Sequence, residues 1–131
     1  MPHYHDSDAP HWYVHIDMDV IDADAARPYL CEQTRIEEAN RMHSFEFFVD
    51  DLEDPKKAVL LECFRDDASQ AAHMENIRLE QLSSAFANFK IHVYGNPPQS
   101  VRDRMHAAGY WPPAFEGEFT HMPYFMGFRA D

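Results

Sequence analysis

Apolar and polar residues alternate strictly near the N-terminus of the chain. The apolar positions are Trp12, Val14, Ile16, Met18 and Val20. A period of two indicates a β-strand, here over residues 11–20, with one apolar and one polar face. Shorter apolar runs predict three further strands, at residues 43–50, 59–64 and 90–94. The acidic, proline-containing segment 52–57 predicts a hairpin turn between two of them.

Two other stretches have the residue spacing of helices. Asp22 or Asp24 can cap a helix that extends to about Asn40. A second helix is predicted from about Asp67 or Ser69 to Phe86, and its two apolar stripes do not align, which indicates a break between them. The predicted order is therefore strand, helix, strand, strand, helix, strand. This is the order of the ferredoxin-like split βαβ fold, an α+β architecture with both helices on one face of a four-stranded antiparallel sheet.

The chain continues beyond this predicted core at both ends. Residues 1–10 are polar and predict an N-terminal arm, whereas residues 11–97 form the ferredoxin-like domain. Residues 98–131 form a C-terminal extension, in which Ser100 can cap a short helix that ends at Gly109. The rest of the extension is rich in aromatic residues, so we expect it to pack on the domain or on a partner subunit.

Composition narrows the classes of function. A chain of 131 residues can form one domain with a real core. The net charge of −12 argues against nucleic acid and against an anionic membrane surface as partners. No apolar run is long enough to span a membrane, and no signal-peptide pattern precedes the first strand. Cys31 and Cys63 lack the spacing of a zinc or redox motif, so we interpret both as buried thiols in a reducing cytoplasm.

The stretch from residue 58 to residue 73 carries the most specific pattern. A strand ends in Glu62-Cys63-Phe64, the acidic pair Asp66-Asp67 follows, and an alanine-rich helix start leads to His73. In this pattern the chain resembles the antibiotic biosynthesis monooxygenase (ABM) domain of the dimeric α+β barrel superfamily. The resemblance covers about residues 11–95.

The resemblance implies a homodimer in which two four-stranded sheets close into one barrel, with a cavity between sheet and helices in each subunit. A partner would also cover the face of the sheet that carries no helix. Family members that are enzymes mostly oxidise phenolic or quinol-like compounds with O2, without flavin or metal. Others isomerise or cyclise small molecules, and some degrade haem.

The implied function is a cofactor-independent monooxygenase that oxidises a small aromatic, phenolic or quinol-like compound, with O2 as co-substrate. One alternative is a non-oxidative isomerase or cyclase on the same fold. Another is a small-ligand-binding protein without chemistry.

His73 is the first candidate for a catalytic residue. On the sheet-facing side of the second helix, a neutral imidazole could take a phenolic proton or anchor the substrate. The resulting electron-rich phenolate would react with O2. The structural alternative is a histidine that bonds a backbone carbonyl and holds the helix in place.

Glu62 and Phe64 are expected to have structural roles. If Cys63 faces the helices, the period of two turns Glu62 to the opposite face, toward the partner subunit. A buried acid needs a partner, and Arg65 and Arg41 are both candidates. We therefore predict that Glu62 organises the dimer interface.

Polar residues on the first and fourth strands are candidates for lining the cavity. Tyr13, His15 and Asp17 share one face of the first strand, and His92 and Tyr94 share one face of the fourth. If those faces meet the cavity, they supply acid–base and hydrogen-bonding groups. If the apolar face of the first strand meets the helices instead, these side chains lie elsewhere, and the sequence leaves both arrangements open.

The spacing of the nine histidines argues against a bound metal. His11 and His15 are too far apart along a strand to ligate one ion, and no His-x-x-x-His falls on a predicted helix. Haem is also disfavoured. Haem-degrading relatives have a His on the second helix, a Trp on the third strand and an Asn on the first. His73 matches the first of these, but Cys63 replaces the Trp and the first strand has no Asn. We expect neither a metal nor a cofactor.

Overall fold

The structure is a computed structural model that describes residues 4–5, 12–40 and 42–126. The expectations for most of the N-terminal arm, for His11, for Arg41 and for the end of the C-terminal extension lie outside the described residues.

The predicted order of elements is confirmed. In chain order the elements are β1 (Tyr4–His5), β2 (Trp12–Val20), α1 (Ala23–Glu38), β3 (Ser44–Val49), β4 (Lys57–Phe64), α2 (Asp67–Glu75), α3 (Leu79–Ala85), β5 (Phe86–Tyr94), α4 (Gln99–Ala107), β6 (Phe119–Met122) and β7 (Phe125–Met126). The second predicted helix is broken into α2 and α3, as its misaligned apolar stripes indicated.

The central sheet has five strands in the order β3-β4-β2-β5-β6. The four strands predicted from the sequence pair antiparallel, but β6 pairs parallel to β5. The expectation of four antiparallel strands is corrected in this respect. The physical reason is that β5 would otherwise be an open edge, and the aromatic extension covers it. Strands β1 and β7 form a separate two-stranded sheet.

Side-chain caps start the helices that carry the site. Asp22 accepts hydrogen bonds from the backbone of Asp24 and Ala25, so the predicted cap of α1 is confirmed. Asp66 forms a capping box with Ser69 at the start of α2.

The predicted cap of the last helix is wrong. Helix α4 begins at Gln99 after Pro98, and Ser100 lies inside its first turn. The Ser100 hydroxyl donates to Oδ1 of Asp67 at 2.9 Å and so ties α4 to α2.

The two cysteines differ in burial. Cys63 is buried as expected, whereas Cys31 is exposed. The expectation for Cys31 is corrected because the buried stripe of α1 runs through Tyr29 and Gln33, which leaves Cys31 on the outer side of the helix.

The four helices lie on one face of the sheet. Apolar residues of β2 face them: Val14 packs in a cluster with Val101 of α4, and Met18 packs with Ala26 of α1 and Ala85 of α3. Helix α2 contacts the same face through His73. No helix in the described part of the chain is long and apolar enough to cross a membrane.

Candidate active site

A cavity of about 170 Å³ lies between the sheet and the helices. Its apolar lining residues are Val14, Ile16, Met18, Phe45, Phe47, Leu60, Phe64, Met74, Ile77, Leu79, Leu82, Phe89, Ile91, Met105 and Phe115. An apolar protein cavity of about 150 Å³ can hold benzene. The cavity therefore has the size and lining for a ligand built on a ring.

A small set of polar side chains also lines the cavity. They are Tyr29, Gln33, Glu62, Gln70, His73 and Tyr110. No Lys or Arg belongs to the described lining, so the charged groups that meet the cavity are one acid and one histidine. A few polar groups in an apolar pocket are typical of a site that orients a small ligand.

His73 lies between two buried carboxylates. Its Nδ1 atom is 2.9 Å from Oε1 of Glu37, and its Nε2 atom is 2.8 Å from Oε2 of Glu62. Glu37 is 1 % exposed, Glu62 2 % and His73 8 %. The rings of Phe64 and Phe45 flank the imidazole, with centroids 5.5 and 6.1 Å away. We call Glu37, His73 and Glu62 the acid–histidine cluster.

The two carboxylates of this cluster are held differently. Glu37 accepts hydrogen bonds from Gln33 Nε2 at 2.8 Å and from Asn40 Nδ2 at 2.7 Å, besides its contact with His73. The contact between His73 and Glu62 has the distance of an ion pair but not the angle of a hydrogen bond, so Glu62 Oε2 has no hydrogen-bond donor among the described residues. Glu37 is thus an anchored acid, whereas the Oε2 atom of Glu62 has the imidazole of His73 as its neighbour and the Glu62 side chain lines the cavity.

The cluster makes His73 a cation at neutral pH. Burial lowers the pKa of the imidazole, but the negative charges of Glu62 and Glu37 and the contacts with them outweigh burial and raise the pKa from 6.5 to about 10. One positive and two negative charges leave an excess of one negative charge. The expectation of a neutral imidazole that takes a ligand proton is therefore corrected, because a carboxylate occupies each ring nitrogen.

Two tyrosines share the cavity with Glu62. Burial raises the pKa of Tyr29 to about 12, opposed by the charge of Arg78 and assisted by Glu62 and Glu37. Burial and the charge of Glu62 also raise the pKa of Tyr110. Both phenols therefore keep their protons at neutral pH and can donate hydrogen bonds.

The sequence interpretation missed Glu37 as a site residue. Tyr29, Gln33 and Glu37 are spaced by four residues on α1, so they form one stripe on the side of the helix that faces the sheet. All three are buried. A signal was present, because the weak amphipathic pattern of this helix results from polar residues on its inner face.

Glu62 and Phe64 lie on the helix side of the sheet. They alternate with Cys63 along β4, and Leu60, Glu62 and Phe64 line the cavity. The expected placement of Glu62 and Phe64 at an interface on the other face is thus wrong. The error arose because the sequence interpretation assigned Cys63, and not Glu62, to the side of the strand that faces the helices. Cys63 is also buried, at 0 % exposed, so burial alone does not distinguish the two sides.

Tyr13, His15 and His92 do not line the cavity, and this expectation is corrected as well. The apolar residues of β2 meet the helices, so the polar residues of β2 face the opposite side of the sheet. There Asp17 contacts Nε2 of both His15 and His92 at 3.1 Å, and the hydroxyl of Tyr94 lies 3.2 Å from His15 Nδ1. Within the described ranges, no group of three or more His, Cys, Asp or Glu side chains could hold a metal ion.

No protein-family model and no curated protein sequence matches this chain. Solved structures do match its fold. MupZ from Pseudomonas fluorescens superposes with a TM-score of 0.67 over 93% of this chain and 96% of that protein, at 12% sequence identity. A point mutant of SnoaB, a cofactor-independent oxygenase from Streptomyces nogalater, superposes with a TM-score of 0.53 over 69% of this chain and 96% of that one, at 8% identity.

A proposed antibiotic biosynthesis monooxygenase from Nitrosomonas europaea is also similar, with a TM-score of 0.46 and 23% identity over 67% of this chain and 92% of that one. At identities this low, the matches concern the fold. The superpositions on MupZ and on SnoaB confirm the ferredoxin-like α+β fold that the sequence pattern indicated.

Proposed function

We propose that this protein, which has the ABM-type α+β fold, is an enzyme that removes a proton from a hydroxyl group of a small, mainly apolar compound. One observation carries the proposal. A buried acid–histidine cluster reaches the wall of an apolar cavity through the side chain of Glu62, a carboxylate that lines the cavity and is paired with His73.

The charge of the cluster favours Glu62 as the base. The cluster has one excess negative charge, so a carboxylate of the cluster can accept a proton from the ligand. The negative charge then passes to the ligand anion, and the total charge of the buried site stays the same. Glu37 is held by its own donors, so it keeps His73 in place while Glu62 reacts. In this scheme His73 is a positioning residue, and Glu62 is the general base.

Deprotonation makes an aromatic ring electron-rich and open to attack by O2. A hydroxylated ring with a keto tautomer has a CH2 carbon that can become a carbonyl. One atom of O2 then enters the product and the other leaves as water, and the ring carbon supplies all the electrons that O2 accepts. This balance needs no reductant, metal or flavin. A cofactor-independent monooxygenase is thus our proposed activity, and the fold similarity to the cofactor-independent oxygenase SnoaB supports it.

Oxygen uptake tests this activity. We expect protein-dependent uptake with at least one of the keto-tautomeric phenols resorcinol, phloroglucinol and 2-naphthol, and no dependence on added metal. Glu62→Gln should lower the rate about 100-fold or more, because it removes the base without changing its size. Glu32→Gln is the matched control, since Glu32 lies on the exposed side of α1 and pairs with Arg35. Equal rates with and without protein would contradict the proposal.

A non-oxidative isomerase or cyclase is the second candidate. It is favoured by the position of His73 between two carboxylates, which lets the cluster return to the product a proton that it took from the substrate. Turnover without O2 uptake that is lost in Glu62→Gln would support this candidate against the monooxygenase. Ligand binding without any turnover would support a binding protein.

We also propose that the protein is a cytoplasmic homodimer. The four helices cover one face of the sheet. On the other face, Phe48 of β3 is 52% exposed. A second copy of the chain would cover this face, as the resemblance to dimeric barrels implies. Cys31 and Cys63 are not joined in a disulfide, which agrees with a reducing compartment.

A further inference from the structure

Two phenol hydroxyls in the cavity have no role in the proton transfer. Tyr29 is 6% exposed, and both Tyr29 and Tyr110 line the cavity beside Glu62. Neither hydroxyl has a hydrogen-bond partner among the described residues, and neither is a fully sealed polar atom. Two donors without acceptors in an apolar pocket are expected to bind oxygen atoms of a ligand.

Tyr29 is held rigidly by its neighbours. The guanidinium of Arg78 lies 4.7 Å from the centre of its ring, and Phe86 contacts it edge-on at 5.7 Å. Arg78 is itself fixed, because it donates to Gln33 Oε1 at 3.0 Å and to the Tyr29 carbonyl at 3.2 Å. A ring fixed in this way loses little entropy when its hydroxyl binds a ligand.

Tyr110 is positioned by the end of α4. Gly109 has a φ of +89°, the left-handed conformation that commonly ends a helix, and the Tyr110 amide then donates to the Met105 carbonyl at 2.8 Å. This turn carries the Tyr110 side chain to the cavity wall. The two phenols thus come from different parts of the chain, the inner face of α1 and the segment after α4.

We infer that Tyr29 and Tyr110 bind a second oxygen of the ligand, and that the ligand class is a neutral hydroxylated compound that also carries a carbonyl or ether oxygen. This inference rests on the proposed function, because Glu62 is taken to bind the hydroxyl. The raised pKa of each phenol supports the donor role, since a phenolate could not donate. A carboxylate ligand is excluded, because the described lining contains no Lys or Arg and the acid–histidine cluster has a negative excess.

Binding of matched small aromatic probes, measured by isothermal titration calorimetry, tests the inference. The probes are para-hydroxyacetophenone, para-ethylphenol, which replaces the carbonyl by an apolar group of similar size, and the anion para-hydroxybenzoate. We expect the ketone to bind about tenfold more tightly than para-ethylphenol, the gain of one or two hydrogen bonds. We expect para-hydroxybenzoate to bind most weakly.

Removal of the hydroxyls should abolish this preference. In the double variant Tyr29→Phe/Tyr110→Phe, the two neutral probes should bind within about twofold of each other. Each single variant should lose about threefold of the preference, which keeps the test available if the double variant does not fold. Tyr94→Phe is the control, because it removes a phenol hydroxyl on the opposite face of the sheet. This variant should keep the full preference for the ketone.

The possible results separate the inference from the proposed function. A preference for the ketone that depends on Tyr29 and Tyr110 supports the inference even if no turnover is found and Glu62→Gln has no effect on O2 uptake. Equal binding of the two neutral probes, no binding of either, or a preference unchanged in the double variant would overturn the inference. None of these results depends on catalysis.

Discussion

The Nε2 atom of His73 lies 2.8 Å from Oε2 of Glu62, which joins helix α2 to strand β4 through two buried side chains. With Glu37 on the other ring nitrogen, this pair forms a cluster at the wall of an apolar cavity. Buried charges are stabilising only when they are paired. The same contacts that define the candidate site therefore also affect the stability of the fold.

Stability should decrease as the pH rises from near neutral. The pKa of His73 is raised from 6.5 to about 10, so its contribution is complete below pH 6.5 and is lost as the pH rises through about 10. We expect the free energy of unfolding, measured by urea denaturation, to decrease steadily over this pH interval, because the unfolded state loses the proton that the folded state keeps.

The variant His73→Gln is the control for this pH dependence, and its stability should change little over the same range. The pKa of Tyr29 is raised from 10 to about 12 in the folded protein. This phenol therefore lowers the stability only above about pH 10, where the unfolded chain ionises, and that is outside the measured range. A wild-type stability that is flat from pH 6.5 to 10 would show that His73 is not charged in the folded protein.

Glu37→Gln should lower the pKa of His73, because it removes one of the two negative charges that raise it. The free energy of unfolding at neutral pH should also decrease, by about 1–3 kcal/mol, since the amide fits but leaves the imidazolium with one charged partner. NMR titration of the imidazole and urea denaturation measure the two effects. Glu32→Gln on the same helix should stay within about 0.5 kcal/mol of the wild type.

Gly117→Ala should disturb the cavity wall formed by Phe115. A Cβ atom at this position would lie 2.5 Å from Cζ of Phe115 and 3.1 Å from the carbonyl oxygen of Phe89. We expect a loss of about 1–3 kcal/mol in the free energy of unfolding, from overpacking. Adding Phe115→Leu should recover part of the loss, and an unchanged stability of the single variant would refute this packing.

Asp66→Ala should weaken the start of α2, the helix that carries His73. The Asp66 carboxylate accepts from the Ser69 amide at 2.8 Å, and the loss of such a cap costs about 1 kcal/mol. Thermal unfolding should show a lower Tm. Asp66→Asn can keep the cap and should retain most of the stability, so equal losses in both variants would argue for a role of the charge instead.

Phe48→Asp tests the proposed homodimer. Phe48 is 52% exposed on β3, and a charge there would be unfavourable in an interface. Analytical ultracentrifugation should show a dimer for the wild type and a monomer for the variant. Leu52→Asp, at an 81% exposed position in the neighbouring turn, should remain dimeric. A monomeric wild type would contradict the proposal directly.

Local patterns predicted the elements well, because each depends on neighbouring residues. The strict alternation over β2, the cap at Asp22 and the break between α2 and α3 were all visible in the sequence. The fifth strand, β6, was missed because its pairing with β5 depends on the return of a distant segment to the edge of the sheet.

The direction of side chains was harder to predict than the elements. In β4, Glu62 and Cys63 are both buried although they face opposite sides, so alternation alone could not assign either to the helices. Leu60 and Phe64 alternate in step with Glu62 along β4, and all three line the cavity. Glu62 is therefore on the side of the strand that faces the helices.

Local patterns in the sequence were enough to predict the order of the main strands and helices, the ferredoxin-like fold and His73 as a candidate residue. Three features became visible in the folded structure alone: Glu37 and Glu62 contact His73, two phenols share the cavity, and the polar face of β2 lies away from it. The difference follows from how far apart the interacting residues lie along the sequence. Periodicity and caps act between residues a few positions apart. The cluster joins the end of α1, the last turn of α2 and strand β4, which come together only when the core packs.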